Sequence, residues 1–137
     1  MVSEIKESDY IDEVDLKIFE LLIDYIKKNK KQPNTITYSA LTDLVDTQSV
    51  IPVNIGYRLG RISNYCREHD APVISAIVGS LEHCEPSAGF FELLGMDALP
   101  ADKRLEVWMP IFNAVYEYPI EKWMELRDSF AKQIGEK

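Results

Sequence analysis

The amino-acid sequence predicts an α+β fold, and three observations support this prediction. Apolar residues recur at three- and four-residue spacing over 11–31 and 53–69, which is typical of amphipathic helices. A β-branched run at 73–78 and a Gly-Phe-Phe segment at 89–94 indicate two strands, and a polar, turn-rich loop joins them. This order of helices, turn and strands is that of a winged helix-turn-helix, to which the sequence adds helices at both ends.

The composition is typical of one globular domain, because 46% of the 137 residues are hydrophobic and 28% are charged. We expect a single domain over 1–137, with a winged-helix core at about 11–94 and a C-terminal helical extension at about 97–135. No apolar stretch approaches the roughly 20 residues that a membrane-spanning helix needs, and the acidic N-terminus is unlike a signal peptide. The sequence therefore predicts a cytoplasmic protein without membrane contact, whose two cysteines are reduced thiols.

The first predicted helix, over 11–31, has acidic residues near its N-terminus and lysines near its C-terminus, and both placements suit the helix dipole. The turn-forming residues at 32–34 end this helix. A short β-prone stretch at 36–38 follows. Ser39 is then the predicted N-cap of a second, short helix over 40–45.

The third predicted helix, over 53–69, follows a turn at 46–49 and has Pro52 near its start. One face is apolar, and the other carries arginine, asparagine and tyrosine, among them Tyr65. Arginine bonds guanine edges or phosphates, asparagine bonds adenine edges and tyrosine reaches phosphates, so this face is suited to docking in a DNA groove. The predicted DNA-contacting residues are Asn54, Tyr57, Arg58, Arg61, Asn64 and Arg67 of the helix, with Thr47, Gln48 and Ser49 of the turn.

Two glycines, Gly56 and Gly60, stand about one helical turn apart in the same helix. Each weakens a helix by roughly 1 kcal/mol relative to alanine, so the pair predicts the close approach of another element. Neither belongs to a phosphate-cradling loop, because both lie inside a helix rather than directly after a strand.

The charge of the chain is unevenly distributed. The net charge is −8, which provides no long-range attraction to nucleic acid. Between Asp46 and Glu68, however, the sequence has three arginines and no acidic residue, so this stretch carries +3 and the remainder −11. The basic stretch favours DNA binding by the third helix. The predicted wing opposes it, because the wing carries Glu82 and Glu85 without a lysine or arginine.

The C-terminal third is predicted to be helical over 103–109, 111–118 and 119–134, with a kink or break at Pro110. Large apolar side chains recur there at helical spacing, which is most often the pattern of a core. Any apolar surface that one domain cannot cover would form a homodimer or partner interface through these helices. The side chains concerned are Trp108, Phe112, Val115, Tyr116, Trp123, Leu126 and Phe130.

Cysteine and histidine provide one metal-like set, in which Cys66 and His69 are followed by the adjacent pair His83 and Cys84. Tetrahedral zinc needs four such ligands, but adjacent residues in a strand or turn diverge, and Cys66 falls on the apolar face of its helix. Cys84 has only its neighbour His83 as a base, which does not favour a nucleophile. We therefore predict no metal, no cofactor and no enzymatic activity. A hydrolase or metal enzyme would require the four side chains to converge.

The chain resembles a winged-helix module, found alone or attached to HNH-type restriction endonucleases, in the segments ITYSALTDLV, IGYRLGRISNYCREHDAPVISAIV and EPSAGFFEL. This likeness covers about 36–93 and implies a fold rather than an activity, since the chain has no HNH motif. A more distant likeness is to the DNA-binding half of alkylguanine alkyltransferases and alkyltransferase-like proteins, whose active-site motif is absent here. The positions that match the winged-helix module are Thr37, Tyr38, Gly56, Arg58, Leu59, Ile62, Tyr65, Cys66, Pro72, Gly89 and Phe90.

Two functions follow as hypotheses. The first is a small non-enzymatic protein that docks duplex DNA through the helix at 53–69 in a regulatory or defence-related role. The second is an acidic protein-binding inhibitor or adaptor, of the phage anti-restriction or anti-CRISPR type, that acts on a basic nucleic-acid-handling protein. The position of the acidic residues discriminates between them. Acid on the wing and third helix favours the inhibitor, and acid facing away from Arg58 and Arg61 favours DNA.

Overall fold

The computed structural model describes residues 11–45, 55–79, 90–91, 94–95 and 100–135. These residues form a mainly helical α+β structure, which confirms the predicted fold class at this level. In chain order the elements are α1 (Glu13–Lys28), β1 (Ile36–Thr37), α2 (Tyr38–Val45), α3 (Ile55–Glu68), a 3₁₀ helix (Ile74–Ile77), β2 (Val78–Gly79), α4 (Ala101–Glu117) and α5 (Ile120–Gly135). Among the described helices, none combines the length and the apolar character needed to cross a bilayer.

The two short strands, β1 and β2, form a parallel pair. Ile36 lies opposite Val78, and Thr37 lies opposite Gly79. Parallel strands need a long crossover connection, and α2, α3 and the 3₁₀ helix lie in that connection. The strand pair therefore joins the segment before α2 to the segment after the 3₁₀ helix.

The predicted strand at 73–78 is wrong over most of its length, because Ile74–Ile77 forms a 3₁₀ helix and only Val78 belongs to a strand. All side chains at 73–78 are buried, so the run lacks the polar alternation that distinguishes a strand from a buried helical segment. The Trp108 indole N–H donates to the Ala76 carbonyl oxygen at 2.7 Å. A tertiary contact thus satisfies a backbone acceptor that a strand would have paired with a neighbour.

The predicted strand at 89–94 is also wrong where the structure describes it. Phe90 and Phe91 have helical backbone conformation, and both side chains are buried. Their rings meet edge to face with 5.2 Å between centroids, an arrangement that aromatic rings favour. Residues 80–89 of the predicted wing, including Glu82 and Glu85, lie outside the described residues.

Side-chain caps set the starts of α1 and α2. Asp12 accepts a hydrogen bond from the Asp15 N–H at 2.9 Å, and Asp15 accepts one from the Asp12 N–H at 3.1 Å. This reciprocal capping box satisfies two backbone donors at the start of α1. In α2, Thr37 Oγ1 accepts from the Ala40 N–H at 3.1 Å. The predicted N-cap, Ser39, is therefore wrong, and this residue lies inside the helix.

The helix α4 runs unbroken through Pro110, so the predicted break is wrong. Proline removes the hydrogen bond to the carbonyl four residues earlier. Because Glu106 and Pro110 are both exposed, water can bond that carbonyl instead. At the other end of α4, the Lys30 ammonium donates to the carbonyl oxygens of Tyr116 and Tyr118. This contact caps the α4 C-terminus and joins it to the segment after α1.

A single cluster of buried apolar side chains joins the described helices. The core prediction for the C-terminal helices is confirmed, since all seven large apolar side chains named for them are buried. α5 packs on α1, where Phe19 meets Trp123 and Phe130 edge to face at centroid distances of 6.2 and 5.2 Å. These contacts place the C-terminal helices and the helix α3 around the same core.

Candidate interaction surface on α3

The helix α3 presents one buried and one exposed face. Its buried face packs on α1 and on the 3₁₀ helix. Tyr65, which was predicted on the polar face, is buried instead, and its hydroxyl shares a 2.6 Å hydrogen bond with Ser129 Oγ of α5. The exposed face carries Gly56, Tyr57, Arg67 and Glu68, with Gly60 and Asn64 partly exposed beside them. Four predicted DNA contacts, Thr47, Gln48, Ser49 and Asn54, lie outside the described residues.

Arg58, which was predicted to contact a DNA groove, is instead bound to the start of α1. Its Nη1 donates to both carboxylate oxygens of Asp12, at 2.7 and 2.8 Å, and to Asp15 Oδ1 at 3.0 Å. Only 14% of its side-chain surface is exposed. The two carboxylates that cap α1 therefore also hold the arginine that was predicted to contact phosphate or guanine.

Arg61 belongs to the same group of charges. Its Nε lies 3.4 Å from Asp15 Oδ2, and 12% of its side-chain surface is exposed. Its guanidinium also lies over the Tyr57 ring, 5.2 Å from the centroid, a cation–π geometry. We call Asp12, Asp15, Arg58 and Arg61 the α1–α3 ion cluster. Its formal charges cancel.

The ion cluster shifts the pKa values of its members in different directions. Burial raises the pKa of Asp15, and the charge of Asp12 adds to this, while Arg61 and Arg58 oppose it. Burial alone would also raise the pKa of Asp12, but hydrogen bonds from Arg58 and the Asp15 N–H, with the attraction of both arginines, lower it. Burial likewise would lower the pKa of Arg58, and its hydrogen bonds and ion pairs with both carboxylates raise it. The arginines therefore hold Asp12 in its ionised form.

These contacts change the charge that α3 presents to solvent. Two of the three arginines in the basic stretch of the sequence are largely buried against carboxylates, and only Arg67 is exposed. Glu68 follows it directly on the same helix. The carboxylates of Asp12 and Asp15 thus face Arg58 and Arg61 rather than pointing away from them. The discriminator set out for the two hypotheses concerns acid on the wing and the third helix, and the wing lies outside the described residues.

Two shallow, open pockets lie beyond the C-terminal end of α3. One pocket, of about 490 Å³, is lined by Pro72, Pro110, Ile111 and Tyr118 among others. The other pocket, of about 360 Å³, shares Tyr118 and adds His69, whose ring stacks on Tyr65 with 4.1 Å between centroids. The lining combines prolines, one tyrosine and dispersed polar groups, and it has no convergent arrangement of nucleophile, base and orienting group.

The metal-like set of the sequence is divided in the structure. Cys66 is fully buried in the core, whereas His69 is exposed at the end of α3. His83 and Cys84 lie outside the described residues. In the part of the chain that the structure describes, no three His, Cys, Asp or Glu side chains are grouped to hold a metal ion.

Ionisation of Cys66 is expected to reduce stability at alkaline pH. Burial raises the pKa of this thiol to about 12, whereas a cysteine of an unfolded chain ionises near pH ~8.5. Between these values only the unfolded chain loses the proton, so the free energy of unfolding falls by about 1.4 kcal/mol per pH unit as pH rises. Urea unfolding of the wild type and Cys66→Ala across this range measures the effect. Equal pH slopes for the two proteins would contradict it.

Comparisons of the chain with protein-family models, with curated proteins and with solved structures find no match.

Proposed function

We propose that this chain is a small, non-enzymatic, winged-helix-type binding protein of the cytoplasm that docks on a basic protein through the exposed face of α3. The observation that carries the proposal is the pairing of Arg58 and Arg61 with Asp12 and Asp15. We call the exposed face of α3 the docking face. The pairing removes from it the two cations that DNA binding would need most. A net charge of −8 attracts a basic partner and repels nucleic acid.

The exposed face of α3 has the chemistry of a protein-docking surface. Tyr57 has 63% of its surface exposed, and tyrosine is enriched among the residues that anchor protein interfaces. A Cβ added at Gly56 or Gly60 would meet no atom of the described residues within 4 Å. Packing among the described residues therefore does not require these glycines, and their lack of side chains leaves a flat surface that a partner can approach closely.

A basic nucleic-acid-handling protein is the partner class that this charge and surface suit. The corresponding role is that of an inhibitor or adaptor of the phage anti-restriction or anti-CRISPR type. Homodimerisation through α4 and α5 stays a prediction. Leu105, Met109 and Met124 are the exposed apolar side chains that those helices would contribute to it.

Photo-crosslinking from α3 tests the proposal. A benzoylphenylalanine at position 57 replaces one exposed aromatic ring by another, and the same residue at the exposed Asn113 of α4 is the matched control. In native host cells we expect a crosslink from position 57, but not from position 113, to a protein with a positive net charge. Equal crosslinking from both positions would overturn the proposal, and so would a crosslink from position 57 to DNA alone.

A bulky substitution at Gly60 separates binding from folding. Gly60→Trp is expected to be at least as stable as the wild type, because tryptophan has the higher helix propensity and its position is open. The same substitution is expected to abolish the crosslink from position 57, since the indole would fill the surface that the partner approaches. Circular dichroism checks the fold. A crosslink that persists in Gly60→Trp would exclude this face as the interface.

Duplex DNA is the second candidate partner, and a specific observation favours it. Tyr57, Asn64 and Arg67 lie on the exposed side of α3, where a helix docked in a groove would use them. Anisotropy of a labelled random duplex across a salt series tests this function. Arg67→Ala should weaken binding and reduce its salt dependence more than Lys132→Ala, which removes the same charge from α5. Equal losses would exclude an α3-specific DNA contact.

A further inference from the structure

The two carboxylates of the ion cluster hold the arginines in different ways. Asp15 is fully buried, so it is a permanent part of the packed core. Asp12 has 45% of its side-chain surface exposed, and both of its oxygens lie within 2.8 Å of Arg58 Nη1. Asp12 is therefore the contact through which an ion from solvent reaches the cluster.

The cluster also extends to the exposed face of α3. Arg61 packs over the ring of Tyr57, which is an exposed aromatic side chain of that face. Arg58 lies three residues before Arg61, and its Nε is buried without a hydrogen-bond acceptor among the described residues. The arginine pair thus lies beside the docking face and retains a donor that Asp12 and Asp15 do not use.

We infer that Asp12 competes internally with nucleic-acid phosphates for Arg58, and that this contact keeps α3 from binding nucleic acid. Carboxylate and phosphate oxygens are both strong acceptors for a guanidinium. Asp12 is tethered beside Arg58, so its effective concentration is on the order of millimolar or above, and phosphate groups of a dilute nucleic acid do not displace it. Removal of the Asp12 charge leaves the ion cluster with a net charge of +1.

This inference goes beyond the proposed protein partner, although it concerns the same surface. It assigns to Asp12 a role in partner choice. A partner that brings its own cation to Asp12 can dock beside Tyr57, whereas bare nucleic acid meets an arginine that is already bound. The role of Asp12 in partner choice rests on the proposed function. The competition between Asp12 and phosphate for Arg58 does not depend on it.

A charge-matched pair of variants tests the competition. Asp12→Asn keeps one side-chain oxygen that can cap α1, removes the charge and replaces the second oxygen by an amide N–H donor. Glu13→Gln removes the same charge from the next residue, which is exposed and outside the ion cluster. Anisotropy of a labelled random duplex is measured for both variants across a salt series. We expect Asp12→Asn to bind about fivefold more tightly than Glu13→Gln, with a salt slope steeper by about 0.9, the signature of one added phosphate contact.

A second variant identifies the arginine that makes the new contact. Asp12→Asn combined with Arg58→Gln has the net charge of −8 of the wild type, and it should return affinity and salt slope to those of the wild type. Equal affinity and slope for Asp12→Asn and Glu13→Gln would overturn the inference, and so would a gain that persists without Arg58. The first comparison does not depend on whether the Arg58 variant folds. Its outcome is also independent of the crosslink from position 57, so failure of the proposed protein partner is distinguishable.

Discussion

Replacement of Arg58 by alanine is expected to lower the free energy of unfolding by about 3 to 5 kcal/mol. The substitution removes all three hydrogen bonds that Nη1 donates to Asp12 and Asp15. Asp15 is fully buried, and the remaining cation, Arg61, approaches it only to 3.4 Å. A buried carboxylate that loses one of its two arginine partners bears more of its desolvation cost uncompensated. Urea unfolding followed by circular dichroism measures the loss.

Two controls show whether this loss comes from the ion cluster. Arg67→Ala removes the same charge and side chain from an exposed position of the same helix, and it should change stability by less than about 0.5 kcal/mol. Asp15→Asn added to Arg58→Ala should recover part of the loss, because the charge left without its partner is removed. Equal effects of Arg58→Ala and Arg67→Ala would show that the cluster contributes little to folding.

Trp123→Ala is expected to cost about 3 to 5 kcal/mol, the range for an aromatic residue removed from a packed core. Trp123 of α5 is fully buried where α5 packs on α1. Its ring meets Phe19 at 6.2 Å and Tyr118 at 4.7 Å between centroids, and its indole N–H donates to the Val115 carbonyl oxygen at 3.2 Å. The substitution therefore creates a cavity where three helices meet. Denaturant unfolding measures the cost.

The neighbouring Met124 provides the matched control for this cavity. It is exposed on the same helix, so Met124→Ala should cost less than about 1 kcal/mol. The Trp123→Ala transition also tests the expectation of a single domain. Far-ultraviolet circular dichroism and the fluorescence of the remaining Trp108 should report one coincident transition. Separate transitions would show that α5 and α1 do not unfold with the segment that packs on Trp108.

Local pattern was sufficient for the amphipathic helices, although not for the start of α2, where Thr37 rather than Ser39 provides the cap. The spacing of apolar residues predicted α1 and α3 and the burial of Trp108, Trp123 and Phe130, because a helix places residues three and four apart on the same face. The same reasoning failed at 73–78, where every residue is buried. A run without polar alternation has no period from which strand and helix can be distinguished.

The candidate surface on α3 was likewise predicted only in part. The sequence showed which residues α3 could present and that acidic residues stand near the start of α1, but it placed Arg58 and Tyr65 on a solvent-facing side. A helix's own period cannot reveal which partner covers each face. Tyr65 is buried because α5 covers it, with Ser129 bonded to its hydroxyl.

The sequence by itself determined the α+β class, the positions of the main helices, many of the apolar core residues on those helices and the acidic charge of this protein. Only the tertiary structure decided which charges are exposed. Arg58 is bound by carboxylates 43 and 46 residues earlier in the chain, and packing of α1 against α3 brings them together. A count of charges along the sequence does not reveal such distant ion pairs. The electrostatic field at the protein surface, however, depends on them.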